Sequence, residues 1–199
     1  MRRYRGMFPV FTFYGHEVFP FGLFPNVMNG IMAPGLIYLA VSFWLSDVAP
    51  KWLVYGYLWF AFMTMPNSMY LFLEIKHIVL KDGIADDRPL PAVIGFSLIS
   101  LLGLISAIAN VLIIVHMVPI AGQHYYLSVV VVSFLSALGG VMGLLDITSL
   151  FGFVIPPLAV MFAVKVLIKK SLLLLTICLT ALLSLLSIAV NVVYTIGIL

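Results

Sequence analysis

The chain has 199 residues, of which 64% are hydrophobic and 9% are charged, with a net charge of +3. Soluble domains carry about 25% charged residues, so an ordinary globular fold is excluded. The mean hydropathy of +1.23 excludes disorder as well, since disorder needs low hydrophobicity.

What remains is an all-α polytopic bundle of membrane helices. Only helices and closed barrels satisfy the backbone in lipid, and these apolar runs are too long and continuous for barrel strands. The basic residues sit in short segments beside apolar runs, where they orient a chain in a bilayer. They do not suggest nucleic-acid binding. The lone cysteine, Cys178, cannot form an intrachain disulfide.

Residues 1–26 form a basic, aromatic-rich opening. Arg2, Arg3 and Arg5 are followed by Pro9, Gly15, the His16-Glu17 pair and Pro20. These interruptions argue against a span over 7–24, and aromatic rings favour the headgroup level. The segment is expected to lie along the interface. No small-residue cleavage site follows, so no cleaved leader is expected.

Residues 27–199 are expected to form a single domain of about six spans, each needing about 20 apolar residues. They cover 27–46, 52–73, 92–118, 125–145, 147–168 and 171–199. With the N-terminus inside, six of the ten Lys and Arg fall on the inner side. The bias in basic residues thus places the N-terminus in the cytoplasm.

The second span is broken by Pro66-Asn67. A proline leaves the carbonyl four residues earlier, here that of Phe62, without its helical donor. The run from Pro66 to His77 holds the densest chemistry in the chain: Asn67, Tyr70, Glu74 and His77. If the helix continues, Glu74 and His77 lie at i, i+3 on one face. That is an acid/base pair or half of a metal site. Pro156-Pro157 is expected to kink the fifth span in the same way. Lys165 is expected to reach for the interface.

Polar residues inside spans carry the most information. In the third span Ser100, Gly103, Ala107 and Asn110 share an arc of about 80° at helical spacing. In the fourth, Ser128, Ser136, Gly139, Gly143 and Asp146 do the same. Gly139-x-x-x-Gly143 allows two backbones to approach closely. The last span carries Thr176, Thr180, Ser184, Ser187, Asn191 and Thr195 within about a 100° arc. These stripes serve helix packing, a polar pathway, or both. Asp146 either caps the fifth helix or sits at a polar site.

No phosphate-binding Gly-x-x-x-x-Gly-Lys, no Gly-x-Ser-x-Gly, no His-Glu-x-x-His and no cysteine pair occurs. Energy-coupled pumping by this chain alone and the commonest hydrolase chemistries have no motif to support them.

Pro66-Asn67-Ser68-Met69-Tyr70, with Glu74 and His77 after it, resembles the signature of bacterial multi-pass membrane proteins catalogued as domain of unknown function 1361. There the motif reads Pro-Asn-Ala-Pro-Tyr, then Thr-Asp, then His. Pro25-Asn26 is similar to that family's opening, and the span layout matches over residues 25 to about 165. Leu73 and Glu74 stand where the family has threonine and aspartate. The resemblance implies the bacterial cytoplasmic membrane. It implies no activity.

Three functions are expected to compete. The first is a non-enzymatic membrane component, either an accessory subunit or a small-molecule binding protein. The second is a transporter or channel using the polar face of the last helix. The third is an interfacial enzyme acting on a lipid-linked substrate through Glu74 and His77, with Asn67 and Tyr70 orienting it. Candidate binding residues are Asn67, Tyr70, Asn110, Asp146 and Asn191. The sequence identifies no cofactor. Its expected partners are the lipid bilayer and a membrane protein or second copy docking through Gly139 and Gly143.

Overall fold

The computed structural model describes residues 3–5, 8–13, 16–19, 23–76, 90–144 and 156–197. The chain opens with three short antiparallel strands, β1 (Arg3–Arg5), β2 (Phe8–Phe13) and β3 (His16–Phe19). Arg3 pairs with Val10 and Phe13 with His16, with an irregularity between Phe11 and Thr12. Aromatic and β-branched residues favour strands. The interfacial segment expected here is therefore a small meander, whose last strand contacts α1.

The described helices are α1 (Leu23–Ser46), α2 (Lys51–Leu73), α3 (Leu90–Met117), α4 (Pro119–Gln123), α5 (Tyr125–Gly143), α6 (Pro156–Ile168) and α7 (Lys170–Thr195). α1 begins before the expected 27, with Pro25-Asn26 inside its first turn. Proline is tolerated there because those N–H groups have no helical partner.

Four described helices are long and apolar enough to cross a membrane: Asn26–Ser46, Val93–Met117, Tyr125–Gly143 and Lys170–Thr195. The other two expected spans correspond to α2 and α6. α2 has 23 residues, about 35 Å of helix, but its Tyr, Trp, Pro, Asn and Ser residues lower its hydropathy. The described part of α6 has 13 residues, about 20 Å. The kink expected at Pro156-Pro157 falls at the edge of the described residues, where α6 starts.

α2 is the hub, packing against α1, α3 and α5. α3 also touches α1, α5 and α7, while α6 sits outside against α5 and α7. In α1 the buried positions Ala33, Ile37, Ala40 and Val41 recur with helical period, giving one apolar stripe toward the bundle. Ile37, Ala40 and Val41 join Met65 and Met69 of α2, Val111 and Val115 of α3, and Leu183 of α7 in one core. Large apolar side chains such as Trp52, Leu127 and Leu185 point outward. That coat suits lipid and would be costly in water.

The corners are tight. Asp47 follows α1 with φ 51°, a left-handed residue ending a helix, which Asp tolerates better than most. Lys169 alone separates α6 from α7. Lys165 is exposed, with its ammonium 4.9 Å from the Phe162 ring centre.

Candidate functional site

The second half of α2 is sunk in glycine. A Cβ added to Gly30 of α1 would strike Leu71 and lie 3.1 Å from the Asn67 carbonyl oxygen. One added to Gly103 of α3 would lie 2.5 Å from the Phe72 nitrogen and 2.7 Å from the Ser68 carbonyl oxygen. On α5, Gly139 faces Pro66, Gly140 faces Met69 and Gly143 faces Tyr70. Small residues let membrane helices approach to backbone contact and gain dispersion energy there. The seam at Gly139 and Gly143 is therefore filled by α2 of the same chain.

Within this cradle lies a hydrogen-bonded pin. Ser68 donates to the Gly30 carbonyl at 2.8 Å and accepts from the Asn110 side-chain amide at 3.0 Å. Ser68 and Asn110 are both fully buried. The acceptor has a local cause. Gly30 lies four residues before Pro34, which is inside α1 and has no N–H to give it. Ser68 supplies the missing donor, and Asn110 fixes the hydroxyl from the third helix. One hydroxyl thus ties α1, α2 and α3 together.

Asn67 is buried beside this pin, and neither its side-chain oxygen nor that of Asn110 has a hydrogen-bond partner among the described residues. Tyr70 is half-buried against Gly143, and the Lys76 ammonium stands 5.3 Å from its ring centre. Glu74 is buried at the C-cap of α2, where its N–H bonds the Leu71 carbonyl at 3.1 Å. His77 and Asp146 lie outside the described residues. The structure therefore joins Ser68 to Asn110, with Asn67 the residue before Ser68 on α2, and the Glu74–His77 pair extends beyond the described residues. No group of three His, Cys, Asp or Glu gathers among the described residues.

The polar stripe of α7 is largely inward, as expected: Thr176, Ser184 and Ser187 are buried. Its threonines, however, bond to their own helix. Thr176 donates to the Leu172 carbonyl at 2.8 Å, Thr180 to that of Thr176 at 2.7 Å, and Thr195 to that of Asn191 at 2.8 Å. This back-bonding is the usual way for a threonine to satisfy itself in a helix. Asn191 meets the His116 ring nitrogen Nε2 of α3 at 2.9 Å. His116 lies six residues beyond Asn110 on α3, about 9 Å along the helix, and the two asparagines have different partners.

His116 is exposed, so losing the contact leaves a ring that can turn to water. Asn191→Leu should cost under about 1 kcal/mol, the scale of interhelical hydrogen bonds in membranes. Unfolding the two proteins in mixed micelles measures the difference.

Sequence reasoning missed the roles of Gly30, Pro34, Ser68 and His116. Gly30 and Pro34 were readable by counting back four residues from the proline to an orphaned carbonyl, whereas its donor Ser68 is 38 residues away. His116 carried no local signal, because its partner is 75 residues away. Compared with family models, curated proteins and solved structures, the chain finds no match in any of the three.

Proposed function

We propose that this protein is a non-enzymatic component of the bacterial cytoplasmic membrane, a rigid helical scaffold acting as an accessory subunit. One observation carries the reading. Several polar groups that could have lined a pathway are engaged inside the bundle: Ser68 and Asn110 in a three-helix pin, Asn191 in a bond to α3, and three α7 threonines in their own backbone, while the hydroxyls of Ser100, Ser136, Ser184 and Ser187 are buried without a hydrogen-bond partner among the described residues. Gly139 and Gly143 are filled from within, so a partner meets a different face.

In this reading α2 spans the bilayer with the four clear helices. The run containing α6 completes six spans, with the N-terminus in the cytoplasm. Descent from the family catalogued as domain of unknown function 1361 fits the Pro66–Tyr70 motif and the same layout.

Native mass spectrometry on the full chain, gently extracted from its own membrane, tests the proposal. The expected spectrum shows the chain with a protein partner at fixed stoichiometry. A partner-free monomer would overturn the accessory role. Solute flux in vesicles that Asn110→Leu abolishes would replace it with transport.

A further inference from the structure

The turn joining α1 to α2 encloses a cavity of about 180 Å³, lined in part by Phe43, Trp44, Asp47, Lys51, Val54 and Tyr55. We infer that this cavity binds the head of a zwitterionic glycerophospholipid. Its ammonium faces Asp47 and the aromatic rings, and its phosphate faces Lys51.

Depth is the first argument. All three tryptophans of the chain, Trp44, Trp52 and Trp59, belong to the end of α1 and the first half of α2, and all are exposed. Tyr55 is exposed among them. Tryptophan and tyrosine collect at the membrane–water boundary, so the cavity opens at headgroup level.

Size is the second. Sites for drug-sized ligands run from about 300 to 1,000 Å³. This one holds only a small polar group. A lipid head fits because its chains need no cavity. They run along the exposed apolar flank of the same helices, where Leu39, Trp52 and Phe60 face outward.

Charge is the third. One carboxylate and one ammonium line the same space. A purely anionic ligand would meet Asp47, and a purely cationic one would meet Lys51. A head carrying both charges is complementary to both. Aromatic faces add attraction for an ammonium group, and Trp44 and Tyr55 supply them here. Lys51 is also the first residue of α2, whose positive dipole end adds to the attraction for phosphate.

The test uses the full chain in detergent micelles, titrated with dihexanoyl phosphatidylethanolamine, dihexanoyl phosphatidylglycerol or free phosphoethanolamine. Retained ligand is counted by native mass spectrometry. Saturable binding of one phosphatidylethanolamine is expected, about tenfold tighter than that of the phosphatidylglycerol. Asp47→Asn and Lys51→Gln should each weaken it by about threefold, and together by about tenfold, as exposed charge contacts do. Asparagine keeps the tolerance for positive φ, so an unchanged melting temperature is the folding control.

Equal retention of the two lipids would overturn the inference. So would full binding by the double variant. Free phosphoethanolamine binding as well as the lipid would overturn the lipid source. None of these outcomes depends on whether a protein partner is found, so this inference and the accessory role fail separately.

Discussion

Gly103→Ala should be among the most damaging single-methyl additions in this protein, destabilising it by about 3 kcal/mol, the upper end of overpacking costs. The new Cβ would stand 2.5 Å from the Phe72 nitrogen and 2.6 Å from the Leu71 Cβ. Backbone atoms cannot swing aside as a flexible side-chain tip can, so α2 and α3 must separate. Separation would also stretch the Ser68–Asn110 bond, which crosses the same pair of helices.

Gly35 and Gly56 provide the contrast. A Cβ at either meets nothing within 4 Å, and both lie inside helices. Alanine there should be neutral or stabilising by up to about 1 kcal/mol, the helix-propensity gain over glycine. Unfolding by SDS titration in mixed micelles reads all three variants. If Gly103→Ala behaves like Gly35→Ala, the close contact of α2 and α3 is wrong.

Ser68→Ala should cost about 2–4 kcal/mol, because it orphans two buried groups at once, at about 1–3 kcal/mol for an unsatisfied group. The Gly30 carbonyl loses its donor and the Asn110 amide its acceptor. The cause assigned to this bond gives a sharper test. Pro34→Ala restores an N–H four residues after Gly30, so the carbonyl regains a helical partner. In the Pro34→Ala background, Ser68→Ala should therefore cost at least 1 kcal/mol less, on the scale of coupled neighbours. Additive effects in that double-mutant cycle would show that the proline and the serine act independently.

Much of the bundle was legible because its signals are periodic. The inward faces of α3 and α7 followed from the spacing of Ser100, Gly103, Ala107 and Asn110, and of Thr176, Ser184 and Ser187, all of them buried. Lipid punishes an outward hydroxyl or amide enough that polarity alone orients such helices.

The pairing of those faces was not legible. The small-residue face of α5 gave no sign that α2 would fill it, because the matching surface is a proline, a methionine and a tyrosine. Shape complementarity of that kind leaves no periodic mark. The three N-terminal strands were missed for another reason. Pro9 and Pro20 interrupt a helix, which points to a membrane surface segment, while the β-propensity of Phe8, Val10, Phe11 and Phe13 favours the strands that form. Among site residues, the burial of Asn110 followed from its place on the small-residue face of α3, whereas the bond from Asn191 to His116 joins helices far apart in sequence.

The central position of α2 has a consequence for how the protein is made. Chains enter the membrane from the N-terminus as they are synthesised. α2 leaves the ribosome when only α1, among its three neighbours, already exists. Its second half, which holds Pro66, Asn67 and Ser68, has none of the glycine faces of α3 and α5 to enclose it until those helices follow. Until then the first two helices pair with each other alone, and the face of α2 that the glycines later cover stays open. The later glycines of α3 and α5 therefore complete a packing that the first two helices only begin.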